Sequence, residues 1–393
     1  MLKRTKIRIG IGSAAAVALV AGALTTAYAS PWGHGSSSSS YSSSSSSWNP
    51  NIVTSTTTIK DVSSTVTSGG DTKPHGVAVV PRSIGNLVRG DVLVTNSSSK
   101  TSWGAGSTIV EINPNTGKQT LFSWLTPKNL PSTCPGGIGL NSTIVVLRDG
   151  WVIVGSSPTT SSGYKNASAG CLIVLNSLGH AKAVIAGGWL NGPGGLTVVD
   201  NGNNVQLFVT SVLNGTSGHW GRVMNTATVI RINLSVTQQT IRIRTIVIIA
   251  TGLPTRVSTT GLITAPTSLV IVGNTLFIVD TINSRIIVIN FATTRNFIAV
   301  IFVLTRGGLL NSPVAITLFN NVLLVTNGGN GNLIAISLTG RTALVKALDT
   351  TAVSGSSPGA GALWGITPSL DGKWIYYADS MENTLSACGP LSS

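Results

Sequence analysis

The sequence predicts an all-β protein, a β-propeller of six four-stranded blades whose ring is closed by an N-terminal strand. From about residue 51 onward, short apolar runs rich in Val, Ile, Leu and Thr alternate with turns of Gly, Asn, Ser and Pro, and no amphipathic helix interrupts them. One strand-turn-strand unit also recurs six times at uneven intervals. A single blade cannot bury both of its faces, so such units stack side by side into a ring. A seventh blade is possible, but no gap between units is long enough to hold one.

The clearest copy of the unit is the stretch 265–289, APTSLVIVGNTLFIVDTINSRIIVI. It contains a first strand, a Gly-Asn turn, a second strand that ends at Asp280, a polar turn and a third strand. The predicted second strands of the six blades are Asp91–Asn96, Trp151–Ser156, Gln206–Ser211, Thr275–Asp280, Val322–Asn327 and Trp374–Asp379. Five units also have a fourth strand, whereas the sixth ends without one. The segment 52–66 precedes the first unit and is predicted to supply this missing strand.

The repeat resembles the NHL and YVTN-type propellers of secreted bacterial proteins. The residues that carry the resemblance are IVDTINSRIIVIN in the fourth unit, with weaker copies in YADSMENTLSA and LVTNGGNGNLIAI, and PHGVAVVP as a first-strand motif. The resemblance covers most of residues 70–388. It implies the fold but not one activity, because such propellers include binding scaffolds, lactonase-like enzymes and lyases.

The N-terminal region predicts export. Residues 1–29 have the form of a secretory signal peptide: four basic residues, an apolar segment from Ile9 to Leu24, and the cleavage triplet that ends at Ala29. Residues 30–50 are a Ser-rich segment that we expect to be a disordered linker. Residues 51–388 form the predicted propeller and residues 389–393 a short tail. We therefore expect a secreted, periplasmic or cell-surface protein with no membrane span after cleavage.

Three cysteines remain after the signal peptide, which allows one disulfide in an exported protein. Cys134 precedes the first strand of blade two and Cys171 opens its third strand, so this pair is the favoured bridge. Cys388 is then free or pairs with another molecule. No Cys and His spacing indicates zinc or covalent haem, and no phosphate loop or dinucleotide motif is present. We therefore predict no cofactor and no bound metal.

The charge balance argues against nucleic acid as a partner. The net charge is +14, but only 9% of the residues are charged, and the excess arises from scarce acids rather than from a dense basic face. Nucleic-acid binding favours clustered Lys and Arg beside stacking aromatic side chains. A chain with so few carboxylates loses little in acid, so we hypothesise an acidic working environment.

The eleven acids do not predict a catalytic centre. Asp149, Asp200 and Asp371 fall in hairpin turns, where Asp favours the turn itself. Asp280 and Asp379 end second strands at a position occupied in the other blades by Asn or Ser. One structural role, hydrogen bonding to the backbone of the following turn, would explain the short polar residue that ends the second strand in each of the six blades.

The function predicted first is that of a non-enzymatic module that binds a protein, a polysaccharide or an extracellular matrix through loops on one face. Loops between second and third strands should lie side by side in blades one to three. The candidate binding residues are Trp103, Tyr164, His219 and Trp220 in these loops, and His75 at the start of a strand beside the channel.

Two alternatives remain open. A lactonase-like or lyase-like enzyme would have its site at the channel mouth, with His75 as a base. A subunit of an extracellular assembly would use the Ser-rich arm as a tether. The sequence leaves the oligomeric state undetermined.

Overall fold

Twenty-five strands form six separate antiparallel sheets in the computed structural model, which describes residues 53–139, 143–157, 170–259 and 262–391. The sheets are the six blades, numbered in the order of their inner strands. Strand β1 (Val53–Ser64) belongs to the last blade. Blade one is formed by β2 (Thr72–Val79), β3 (Val92–Ser98), β4 (Thr108–Ile112) and β5 (Gln119–Trp124). Blade two is formed by β6 (Ile144–Val146), β7 (Val152–Ser156), β8 (Cys171–Leu175) and β9 (Ala181–Ile185).

Blade three has five strands and the longest hairpin of the ring. Its strands are β10 (Pro193–Asn201), β11 (Asn204–Ser211), β12 (Met224–Val236), β13 (Ile241–Val257) and β14 (Ile263–Thr264). The fifth strand, β14, and the extension of β13 were not predicted from the sequence. The apolar run that predicts a fourth strand ends near residue 250, whereas β13 continues through Pro254 to Val257.

The remaining blades follow the four-strand plan. Blade four contains β15 (Leu269–Val272), β16 (Thr275–Asp280), β17 (Arg285–Ile289) and β18 (Phe302–Arg306). Blade five contains β19 (Pro313–Phe319), β20 (Val322–Asn327), β21 (Asn332–Ser337) and β22 (Thr342–Ala347). Blade six contains β23 (Leu363–Pro368), β24 (Ile375–Asp379) and β25 (Thr384–Leu391), and β1 is its outer strand. The helical content of the described residues is one 3-10 turn, Pro127–Asn129.

The pairing of β1 with β25 confirms that an N-terminal strand closes the ring. Val53 lies opposite Leu391, and Ser64 lies opposite Thr384. The Thr57 hydroxyl donates to the carbonyl of Pro390 at 2.8 Å, across 333 residues of sequence. Strand β25 continues to Leu391, three residues beyond the end of the propeller as predicted at residue 388.

Apolar side chains are buried between neighbouring blades rather than in one central core. In β3, Val92 and Val94 pack toward blade six, whereas Leu93 between them packs toward blade two. Both faces of a blade are therefore covered, because side chains alternate along a strand. This explains why the strands read as continuous apolar runs instead of alternating with polar residues.

Candidate functional site

Each inner strand begins on one face of the ring, which we call the upper face. The loops that join second to third strands lie on the same face, because successive strands of a blade are antiparallel. A cleft at the channel mouth on this face encloses about 500 Å³, part of it open to solvent. We call it the mouth cleft, and its lining residues are His75, Trp103, Ser157, Pro193, Gly194, Val212, Leu262, Ile263, Thr267 and Trp364.

β-bulges near the start of the inner strands aim side chains at the channel. The pairing register shifts between Pro74 and Val77 in blade one, and between Leu363 and Ile366 in blade six. Similar shifts follow Pro193 in blade three and Pro313 in blade five. A bulge bends the strand and redirects the side chain of the extra residue. The residues within these bulges include His75, Gly194, Val314 and Trp364, all of which line the channel.

His75 and Trp364 stack on each other at the centre of the mouth cleft. Their ring centroids lie 3.9 Å apart and the ring planes differ by 17°. The imidazole of His75 is 8% exposed. Gly365 makes this stack possible, because a Cβ atom there would lie 2.3 Å from the carbonyl oxygen of His75. The two inner strands therefore approach closely enough for the rings to meet.

Trp103 forms the outer wall of the cleft and is 54% exposed. Its loop is fixed at the base by the buried carboxylate of Asp71, which accepts hydrogen bonds from the backbone amides of Ser107 at 2.8 Å and Thr108 at 3.0 Å. The amide of Gly106 also donates to the carbonyl of Ser97. An exposed indole on an anchored loop is available to a ligand without a large cost in ordering.

The structure brings together some of the sequence-predicted site residues and separates others. His75 and Trp103 line the same cleft, whereas His219 and Trp220 are not among its lining residues. His219 is exposed, and Trp220 packs partly buried against the core between blades three and four. Tyr164 lies outside the described residues. The binding roles of all five residues stay predictions.

Sequence reasoning missed Trp364, although a signal for it exists. In the first strand of blade one, His75 precedes Gly76, and in blade six Trp364 precedes Gly365. Aligning the first strands on this glycine places the two rings at one repeat position. A catalytic role for His75 implies a second histidine or a carboxylate as its partner, so a stacking aromatic residue was not expected at this position.

The mouth cleft is almost uncharged. Among its lining residues His75 is the one titratable side chain, and the remaining polar lining consists of Ser157, Thr267 and backbone groups. Across the described residues, no three His, Cys, Asp or Glu side chains are grouped so that they could hold a metal ion. The cleft can therefore offer aromatic faces, hydroxyl groups and one imidazole to a ligand.

The carboxylates at the ends of second strands have structural partners. Asp280 accepts from the Arg285 Nε at 2.6 Å and from the Asn283 side chain at 2.9 Å. Asp379 accepts from the backbone amides of Met381 at 3.0 Å and Glu382 at 3.1 Å. Both lie outside the lining of the mouth cleft, which agrees with a role in the turn.

The Asn and Ser residues that end the second strands of the other four blades form hydrogen bonds with different partners. The single structural role predicted from the sequence therefore does not explain all six positions. The Asn96 amide donates to the carbonyl of Thr65, and the Asn327 amide donates to the carbonyl of Leu309, both at 2.8 Å. Ser156 and Ser211 donate to the carbonyls of Gly137 and Asn191. These partners precede the blade rather than follow the strand. A carboxylate can only accept, whereas an amide or a hydroxyl can donate to a carbonyl.

Asp379 and Glu111 are buried close to other carboxyl groups. Asp379 shares a hydrogen bond with Asp349, and burial first, then this like-charged neighbour, raise the pKa of Asp379 to about 7. Burial raises the pKa of Glu111 to about 7, with a smaller contribution from Asp91. The Glu111 carboxylate accepts from the backbone amide of Val88 at 2.8 Å.

The disulfide between Cys134 and Cys171 is present as predicted. The bridge ties the segment before blade two to the start of its third strand, and disulfides are typical of proteins outside the reducing cytosol. Cys388 is a buried free thiol. No helix in the described ranges combines the length and the apolar character required to cross a bilayer.

Solved structures with the same fold include enzymes. The chain is similar to a streptogramin B lyase, with 16% identity and a TM-score of 0.50 over 86% of this chain and 98% of that one. It is also similar to a gluconolactonase from Xanthomonas campestris, with 11% identity and a TM-score of 0.55 over 87% and 92% of the two chains. A luciferin-regenerating enzyme matches with 10% identity and a TM-score of 0.52, over 85% and 95%.

No protein-family model matches the chain, and no curated protein matches it. At 10–16% identity the three structures share the fold and do not transfer their activities. The resemblance to NHL repeats therefore stays a prediction. The chain is a six-bladed β-propeller whose structural neighbours are of the gluconolactonase and streptogramin lyase type.

Proposed function

We propose that the protein is an exported binding module whose mouth cleft holds a neutral sugar unit of a polysaccharide. The observation that carries the proposal is the His75–Trp364 stack, which lines an almost uncharged cleft together with the exposed Trp103. The apolar face of a sugar ring packs against an aromatic ring, and its hydroxyl groups bond to Ser, Thr and backbone groups.

The proposal accounts for the absence of charge better than a charged ligand would. A carboxylate or phosphate ligand would require a cation within the cleft, and the described lining residues provide none besides His75. The propeller supplies a rigid base, and the anchored loop of Trp103 supplies one wall. The disulfide and the N-terminal signal peptide predicted from the sequence support export.

The test is titration of the protein with neutral tri- and tetrasaccharides, monitored by tryptophan fluorescence and calorimetry. We expect one saccharide class to bind, and Trp364→Ala and Trp103→Ala each to weaken its binding by about tenfold, because each removes an aromatic contact. The matched control is Trp124→Ala, which removes an exposed indole of blade one outside the mouth cleft. Equal affinity of the Trp364→Ala variant and the wild type would contradict the proposal.

A lactonase-like or lyase-like activity is the second candidate, supported by the position of His75 inside the cleft. A general base must lie within reach of the substrate's proton, and His75 is the imidazole that lines the cleft. Turnover of a sugar lactone that His75→Ala abolishes and Trp124→Ala leaves intact would replace the first proposal by this one.

A further inference from the structure

The outer rim of blade four carries a dense group of exposed apolar side chains. Between Phe291 and Val303, six large apolar residues are 47–69% exposed: Phe291, Phe297, Ile298, Val300, Phe302 and Val303. We call this group the rim patch. Monomeric soluble proteins rarely expose apolar side chains in such a cluster, and those that do use it for contact with a partner or a membrane.

A buried cation holds the rim patch in place. Arg231 of blade three is 3% exposed, and its guanidinium donates to the carbonyl of Ala292 at 2.9 Å and to the side chain of Asn296 at 2.8 Å. The backbone amide of Ala299 donates to the carbonyl of Ile249 in β13 at 2.8 Å. The segment that presents the patch is therefore fastened to the neighbouring blade at both ends.

Burial of the Arg231 guanidinium costs free energy, and this cost argues that the exposed loop has a function. Burial of a cation without a carboxylate partner is unfavourable. The salt bridge found among the described residues joins Arg285 to Asp280, so none of them gives Arg231 a carboxylate partner. The Nε atom of Arg231 also lacks a hydrogen-bond partner. The buried guanidinium of Arg231 thus fixes a loop whose apolar side chains are exposed to solvent.

The half of the ring around the rim patch is strongly basic. Residues 193–349, which span blades three to five, contain three acids, Asp200, Asp280 and Asp349, and Asp280 is buried and paired with Arg285. The same stretch contains ten basic residues: Arg222, Arg231, Arg242, Arg244, Arg256, Arg285, Arg295, Arg306, Arg341 and Lys346. Arg295 lies over the ring of Phe297 at 4.7 Å, and Arg306 is an exposed residue at the end of β18.

We propose that the rim patch docks the propeller onto a lipid surface that contains anionic phospholipids. Phe, Ile and Val side chains enter the interfacial layer, while neighbouring arginines contact lipid phosphates. A second copy of this chain would place one basic half against another, so charge complementarity favours an anionic surface over self-association. This surface is separate from the mouth cleft, and docking at the rim would leave the cleft free.

Vesicle co-sedimentation of residues 48–393, the compact unit that holds all six blades, tests the proposal. We expect binding to vesicles of phosphatidylcholine with phosphatidylglycerol, and little binding to phosphatidylcholine alone. The double variant Phe297→Ser, Phe302→Ser should lose most of the binding. Arg306→Gln should weaken it by about fivefold, as expected for one arginine near an anionic surface. Added salt should weaken it further.

The matched control is Leu121→Ser, which removes a 54% exposed apolar side chain from the outer strand of blade one. It should bind vesicles like the wild type, and all variants should unfold at the wild-type temperature. Three results would overturn the proposal: no binding to anionic vesicles, equal loss of binding in the control, or a dimer in size-exclusion chromatography that Phe297→Ser, Phe302→Ser dissociates.

Discussion

At the residue scale, hydrogen-bond direction divides the six equivalent residues at the ends of the second strands. Asp280 and Asp379 accept from the turn that follows, whereas Asn96 and Asn327 donate to carbonyls of the connection that enters the blade. Sequence comparison finds the position because all six residues are short and polar. It does not separate the residues that accept hydrogen bonds from those that donate them. That distinction depends on which backbone atoms lie nearby, and the sequence does not show these.

We expect Asn327→Asp to destabilise the propeller by about 2–4 kcal/mol at pH 7, although Asp occupies this position in two other blades. The substitution replaces an amide donor, 2.8 Å from the carbonyl of Leu309, by a buried carboxylate. Urea unfolding measures the loss, which should shrink near pH 4, where the carboxyl group is protonated and can donate.

The matched control is Asn330→Asp in the turn that follows the same strand. The side-chain oxygen of Asn330 accepts from the backbone amide of Asn332, so Asp can take its place. We expect a change within about 0.5 kcal/mol. Equal effects of the two substitutions would refute the donor requirement at position 327.

Two buried carboxyl groups contribute stability to the folded state in acid that is lost at alkaline pH. The pKa values of Asp379 and Glu111 are raised to about 7 in the folded state. A raised pKa means that the folded state binds the proton more tightly than the unfolded state does. The stabilisation is therefore complete below about pH 4 and is lost as the pH rises through about 7.

We expect the free energy of unfolding to fall by a few kcal/mol between about pH 4 and pH 7, because over this range these two carboxyl groups are ionised in the unfolded state and still protonated in the folded state. The double variant Asp379→Asn, Glu111→Gln removes both titrating carboxyl groups and should flatten this dependence, which is measured by urea unfolding across the range. Asp371→Asn is the control, since burial is slight there and hydrogen bonding to Ser369 lowers the pKa of Asp371. A flat profile for the wild type would contradict this assignment. The direction fits the acidic environment hypothesised from the composition.

At the scale of elements, ring closure was predictable and the additions to blade three were not. The sixth unit lacks a fourth strand and the segment 52–66 is an unassigned strand, so each end of the sequence has what the other lacks. By contrast, β14 has two residues, and the extended part of β13 contains Gly252 and Pro254. Neither segment contains an apolar run. Each forms a strand because it pairs with a neighbouring strand, and not because its residues favour β-structure.

Removal of residues 53–64 should abolish the single cooperative unfolding transition. Without β1, strand β25 becomes an open edge, and Lys346 of blade five loses the carbonyl of Thr57, to which it donates at 2.9 Å. Calorimetry and urea unfolding of the truncated chain measure the effect. The control is a permuted chain that carries residues 53–64 after Leu391 through an Asn-Gly turn.

The register makes this control possible, because Val53 lies opposite Leu391 in an antiparallel pair. A two-residue turn can therefore join the two strands as a hairpin. We expect the permuted chain to regain a single transition close to that of the intact protein. If the truncated chain unfolds with the same transition as the intact one, pairing of β1 with β25 does not stabilise the propeller.

At the scale of the whole molecule, hydroxyl groups near the channel join one blade to the next. The Ser157 hydroxyl donates to the carbonyl of Pro193, Thr210 to Pro266, Thr281 to Pro313, Thr326 to Trp364 and Ser380 to Pro74. These bonds cross five of the six junctions in the described ring. They explain how a chain with 9% charged residues holds a ring together, and why Ser and Thr are abundant at the ends of second strands.

The sequence predicts the fold of the whole molecule better than its site. The number of blades, the second strands and the closure of the ring follow from the repeat. A strand with a weak pattern in one unit can be recognised by its position in the other units. The mouth cleft depends on a few bulges that turn single side chains such as His75 and Trp364 toward the channel. A bulge is one extra residue in a strand, and nothing in the apolar pattern marks where it falls.

The closing strand also fixes the order in which the molecule can be completed. Blades one to five consist of strands that follow one another along the chain, so each can form as soon as its own residues are available. Blade six pairs the first described strand with the last, and these are separated by nearly the full length of the chain. A ribosome or an export channel that has not yet released residue 391 therefore holds an open arc rather than a ring. The ring can therefore close only after strand β25 has emerged and can pair with β1.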